Sequence, residues 1–178
     1  MAILRVAMRR FTLLVLVLAL TLPVAAFAAE AVWAAELAPG DGTLVVDNGR
    51  GSVVIRARGG ILGRFDSGRL IVEDPVAGDG SGPVVYGAER IRDLGGNKTL
   101  YIGEDVRFRM IGGLYKVQIL AVGIDVSAVG RGTVTLDATG FTDLPGRFSI
   151  NGGTYQPLPG HPTAYTLGQV PPIPPFGK

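Results

Sequence analysis

The sequence predicts an all-β protein, an antiparallel β-sandwich or flattened barrel of about ten short strands, behind an N-terminal signal helix. Three observations carry this. The chain holds 27 Gly and 12 Pro among 178 residues, and Val, Ile and Thr recur between the glycines. Several runs alternate apolar and polar residues with period two, the mark of a half-buried strand. Stretches such as Asn48-Gly49, Asp66-Ser67-Gly68, Gly95-Gly96-Asn97 and Asn151-Gly152-Gly153 punctuate those runs as turns.

The chain opens on a leader. Arg5, Arg9 and Arg10 precede an uncharged apolar run over residues 11–22, Pro23 and a cluster of alanines. A basic segment, an apolar segment and a small-x-small site make a secretory signal peptide over residues 1–28. Ala26-Phe27-Ala28 places cleavage between Ala28 and Ala29. The alternative is an uncleaved anchor over residues 11–29, near the length of about 20 that spans a bilayer. Pro23 argues against it. The leader takes three of the 17 basic residues and none of the 15 acids, leaving 14 against 15 and a balance of −1. The basic character of the whole chain therefore gives no reason to expect nucleic acid as a partner. Membrane attachment is expected only through the leader, if it is retained.

Residues 29–41 read as a flexible lead-in and residues 42–156 as the β domain. Strands are expected at 43–48, 52–58, 61–65, 69–73, 84–86, 99–102, 106–111, 115–122, 133–138 and 148–150. Residues 88–94 read as the only candidate helical turn. The alternation places Val53, Ile55, Leu70, Val72, Leu100, Val106, Phe108, Val117, Ile119, Val134 and Leu136 in the core. A β-solenoid is the rival fold, because Gly42, Gly51, Gly60 and Gly68 recur every eight or nine residues. The spacing fails beyond Pro75. Residues 49–59 and 130–140 echo each other (GRGSVVIRARG, GRGTVTLDATG), which reads as shared turn chemistry or an old duplication into two equivalent hairpins. Residues 157–178 read as a Pro-rich tail.

Catalytic and metal chemistry have little footing. The chain has no Cys, and its one His, His161, lies in the expected tail. This disfavours a disulfide framework, a thiolate zinc site and a His-assisted nucleophile, so no cofactor or metal is expected. Residues 74–81 (DPVAGDGS) lack the alternating acids of a calcium loop and read as a polar loop. Glu73-Asp74, Glu104-Asp105, Asp125 and Asp137 are the acids available for paired-carboxylate chemistry, and spacing alone pairs none of them across a cleft.

The stronger surface signal is cationic. Arg56 and Arg58, then Arg107 and Arg109, oppose their apolar neighbours and point to a binding face, with Tyr101 as a flat apolar contact. Three stretches, RFRMIGGLY (107–115), GIDVSAVGRG (123–132) and NGGTYQPLP (151–159), resemble small secreted uncharacterised proteins of high-GC actinobacteria. The resemblance implies a shared domain and no assigned activity. The expectation is a non-enzymatic secreted or envelope-associated module with a binding or structural role. Its expected partner is an anionic cell-wall polymer or an envelope protein. The alternative is an extracellular glycan-acting enzyme using paired carboxylates.

Overall fold

The structure is a computed structural model that describes residues 38–141 and 143–168. The signal helix, the Ala28–Ala29 cleavage site and most of the lead-in lie outside the described residues. Within them the chain forms seven strands: β1 Gly42–Glu73, β2 Val84–Gly95, β3 Lys98–Met110, β4 Leu114–Asp137, β5 Arg147–Ile150, β6 Gln156–Pro157 and β7 Thr163–Leu167. No helix is present among the described residues. Residues 88–94, read as a helical turn, belong to β2.

The strands form one antiparallel sheet in the order β2-β3-β1-β4-β7, with β5 on β1 and β6 on β5. Its end strands, β2 and β7, do not pair with each other, so the sheet is not closed into a barrel. Antiparallel pairing throughout also removes the solenoid reading, whose rungs stack in parallel.

The expected ten strands merge into five, because β1, at 32 residues, contains four of them and β3 and β4 contain two each; β6 and β7 are additional. Asn48-Gly49 and Asp66-Ser67-Gly68 were expected to reverse the chain. They do not, because β1 runs on through both beside β4. Residues 42–58 of β1 follow β4 backwards from Gly130 to Leu114, and residues 52–73 follow it backwards from Asp137 to Lys116. Segment 52–58 is thus held on both edges by different parts of β4. Asn48 takes a left-handed φ of 49° where the register slips between Val46 and Gly49. The two segments that echo each other lie side by side: Ser52–Arg58 pairs with Asp137–Arg131, and Gly59 faces Gly130. A Cβ on Gly59 would lie 2.0 Å from the Val129 carbonyl oxygen, and one on Gly130 would lie 2.1 Å from that of Arg58. The shared glycines permit this close reciprocal contact, and the echo marks neighbours rather than two equivalent hairpins.

True reversals are tighter. Gly96 (φ 61°) and Asn97 (φ 58°) connect β2 to β3 with both residues left-handed, the geometry that matches strand twist in a two-residue hairpin. The loop between β1 and β2 is tethered. The Tyr115 hydroxyl accepts from Gly82 N at 3.1 Å, Asp79 accepts from Leu114 N, and Gly80 bridges Gly112.

The core lies along one side of each alternating run. Val53, Ile55, Leu70, Val72, Val106, Phe108, Val117, Ile119, Val134 and Leu136 are all buried, but Leu100, expected with them, turns to the other side beside Ile71 and Arg92, and its neighbour Tyr101 packs against the core instead. Leu44, Phe65, Met110, Tyr115, Ile124 and Phe148 complete it. Leu158 and Leu167, placed by the sequence reading in a loose tail, are buried at 3% and 1% exposure, and β7 pairs along β4. The reason is local: Thr163, Tyr165 and Leu167 alternate inward against the edge that β4 leaves open.

Candidate binding surface

Cross-strand neighbours share a face, so the register fixes which side chains can act together. One row runs Thr133, Arg56, Lys116, Glu73, Lys98 across β4, β1, β4, β1 and β3. The next runs Thr135, Val54, Gln118, Ile71, Leu100, Arg92, and a third runs Asp137, Ser52, Leu120, Arg69, Ile102, Arg90. These rows point away from the core, because the residues between them (Val53, Ile55, Val117, Ile119, Leu70, Val72) are buried.

The face so built is cationic with an apolar centre. Arg56, Arg90, Arg92, Lys98 and Lys116 border Val54, Ile71, Leu100, Ile102 and Leu120, and Arg69 lies among them between Leu120 and Ile102. Leu120 is 44% exposed. The one acid inside the rows, Glu73, lies between Lys98 at 3.6 Å and Lys116 at 3.8 Å. Asp137 closes the far end and accepts from the Thr139 hydroxyl and N–H, which hold its carboxyl below the usual carboxylate range. On the same face, a depression of ≈ 430 Å³ is lined by Ser67, Arg69, Glu89, Ile102, Glu104 and Leu120, among others.

The four arginines of the sequence reading do not meet in one row. Arg56 and Arg58 are exposed, but Arg58 is tied to Asp79 at 2.9 Å at the tethered loop. Arg107 and Arg109 are exposed on a separate set of rows. Arg107 lies between Arg64 and Tyr86, and Arg109 between Leu62 and Val84. That region is partly neutralised. Arg64 is bound by Asp125 through Nε at 2.9 Å and Nη2 at 2.7 Å, and this pairing raises the Arg64 pKa. Arg147 is bound by Asp47 and lies over the Tyr155 ring, 5.0 Å from its centroid. Tyr101 pairs with Leu70 and packs against the core, on the opposite side from Arg56.

Sequence reading missed Arg69, Arg90, Arg92, Lys98 and Lys116. Arg90 and Arg92 alternate about Ile91, a period-two signal that was readable, but the segment was taken for a helical turn. The other three are single basic residues in their runs, and only the register gathers them.

The acids are dispersed: Glu73 sits between two lysines, Asp125 is held by Arg64, and Asp137 is held by Thr139. No group of three or more His, Cys, Asp or Glu suited to a metal occurs among the described residues. Comparison with protein-family models, with curated proteins and with solved structures gives no significant match.

Proposed function

We propose that this chain is an exported, non-enzymatic β module that binds an anionic component of the cell envelope through the face carrying Arg56, Arg69, Arg92, Lys98 and Lys116. The observation that supports it most is the charge of that face: its rows carry six cations against two acids, Glu73, which two of the cations share, and Asp137 at the far end, with Glu89 and Glu104 at the adjoining depression. Guanidinium groups match carboxylate and phosphate in geometry and charge. A mature balance of −1 supplies no general attraction to a polyanion, so the attraction is local and screened within about 8–10 Å at physiological salt.

Export rests on the leader, with cleavage before Ala29, and N-terminal sequencing of protein from the medium tests it. A sandwich arrangement accounts for the two-sided pairing of residues 52–58, since β1 and β4 would pass between two layers at Gly59 and Gly130. The kinship with secreted actinobacterial β proteins belongs to the same reading.

The binding experiment is sedimentation with envelope fragments at low and high salt, comparing the parent with Arg56→Ala/Arg69→Ala and with Arg107→Ala/Arg109→Ala. The first variant is expected to lose binding and the second to retain it. Equal binding by the first variant and the parent rejects the face. A second reading, glycan hydrolysis, is favoured by one observation, that Glu89 and Glu104 line a single depression with Arg69. It requires reducing ends to appear from envelope polysaccharide and to vanish with Glu104→Gln.

A further inference from the structure

The face just described is amphipathic as well as cationic, and this narrows its ligand. A surface that reads only a soluble polyanion gains nothing from a half-exposed aliphatic centre. Here Val54, Ile71, Leu100, Ile102 and Leu120 occupy two adjoining rows on neighbouring strands, with no charged residue among them except Arg69. The cations lie around them: Arg56, Lys116 and Lys98 along one side, and Arg92 and Arg90 at the β2 end. The segments concerned, from residue 52 of β1 to Arg92 of β2, are five strands abreast, a span of roughly 19 Å at the usual strand separation. Long basic side chains at such a border keep their charges in water while their stems extend the apolar surface. A patch of this size with basic residues around a greasy centre complements phosphate headgroups above acyl chains.

We infer that the outer face formed by residues 52–56, 116–120, 69–73, 98–102 and 90–92 docks on an anionic lipid bilayer. Basic groups meet lipid phosphates, and Leu120, Ile71 and Ile102 enter the headgroup boundary. The inference rests on the binding reading above and names its ligand. It also adds a membrane contact that the leader does not provide. Charge complementarity argues for the bilayer over an apolar protein partner: Lys98 and Lys116 share Glu73, and an apolar partner would bring no counter-charge to Arg56, Arg69, Arg90 and Arg92.

The test separates the two levels. Polyphosphate serves as the soluble anionic probe. Vesicles of phosphatidylglycerol and of phosphatidylcholine serve as the membrane probes. The parent is expected to bind polyphosphate and phosphatidylglycerol vesicles, and phosphatidylcholine vesicles at least tenfold more weakly. Leu120→Gln, at an exposed position that leaves the core intact, is expected to keep polyphosphate binding and lose about tenfold on phosphatidylglycerol. Because the chain has no cysteine, Leu120→Cys and Leu62→Cys each accept one environment-sensitive dye. Emission is expected to shift to the blue on phosphatidylglycerol at position 120 and not at position 62, which lies beside Arg109. The pair controls for contact through the apolar run at residues 11–22. Binding to polyphosphate without vesicle binding overturns the lipid inference and leaves the anion-binding reading intact. A blue shift at both positions, or at neither, also overturns it, as does Leu120→Gln binding like the parent. Failure to bind either probe overturns both.

Discussion

At the residue scale, glycine does its decisive work where two backbones touch. Gly59 has φ 149°, and a Cβ there would meet the Val129 carbonyl oxygen at 2.0 Å. Its neighbour Gly60 has ordinary backbone angles, and its nearest obstacle is the Met110 carbonyl oxygen at 4.0 Å. Gly59→Ala is therefore expected to cost about 1–3 kcal/mol or more, through strain and parting of β1 from β4. Gly60→Ala is expected to be neutral or to stabilise by up to about 1 kcal/mol, by restricting the unfolded chain. Urea midpoints of the two variants check this, and equal midpoints would discard the argument. A second residue-scale effect concerns Asp137. The Thr139 hydroxyl and N–H favour its ionised form and depress its folded pKa. A depressed carboxyl stabilises the fold above its unfolded value of about 3.9, and that stability is lost as pH falls through the folded value. Thr139→Val is expected to move the Asp137 titration upward, read by NMR of its side-chain carboxyl.

At the element scale, the C-terminal strand shows how little sequence periodicity says about a short edge. Thr163–Leu167 follows a stretch broken by Pro157, Pro159 and Pro162, and its five residues alternate too briefly to be recognised. It is held by Leu167, which is 1% exposed, and by Asn151, whose Nδ2 donates to the Thr166 carbonyl at 2.9 Å while its Oδ1 accepts from Gly168 N at 3.1 Å. Leu167→Ala is expected to destabilise the domain by about 2–5 kcal/mol, the range for a buried leucine. A solvated tail would give no change, so the denaturation midpoint distinguishes the two. The face around Arg56 is likewise an element-scale property. It exists because two long strands, β1 and β4, cross with a register that sets Lys116 between Arg56 and Glu73.

At the scale of the whole molecule, one continuous core unites strands far apart in sequence. Phe108 on β3 is 4% exposed and shares its cluster with Phe65, Val126 and Met110. Its ring would strike a Cβ placed on Gly63, at 2.5 Å, so the missing side chain at Gly63 makes its space. Phe108→Ala is expected to cost about 3–5 kcal/mol and to lower cooperative unfolding as one transition. Melting like the parent would place Phe108 outside the core. The sequence by itself determined the all-β character, the apolar side of most strands and a turn at Gly95-Gly96-Asn97. These depend on local chemistry: β-branched alternation, and glycine or asparagine where φ is positive. Only the tertiary structure decided that four expected strands are one, that Thr163–Leu167 belongs to the sheet, and that Arg56 keeps company with Lys116 and Arg69 rather than with Arg107. Those outcomes depend on which strand lies beside which. The pairing of β1 with β4, between residues 43 to 88 positions apart, is set by the combined burial of the whole core, and no short window of sequence contains it.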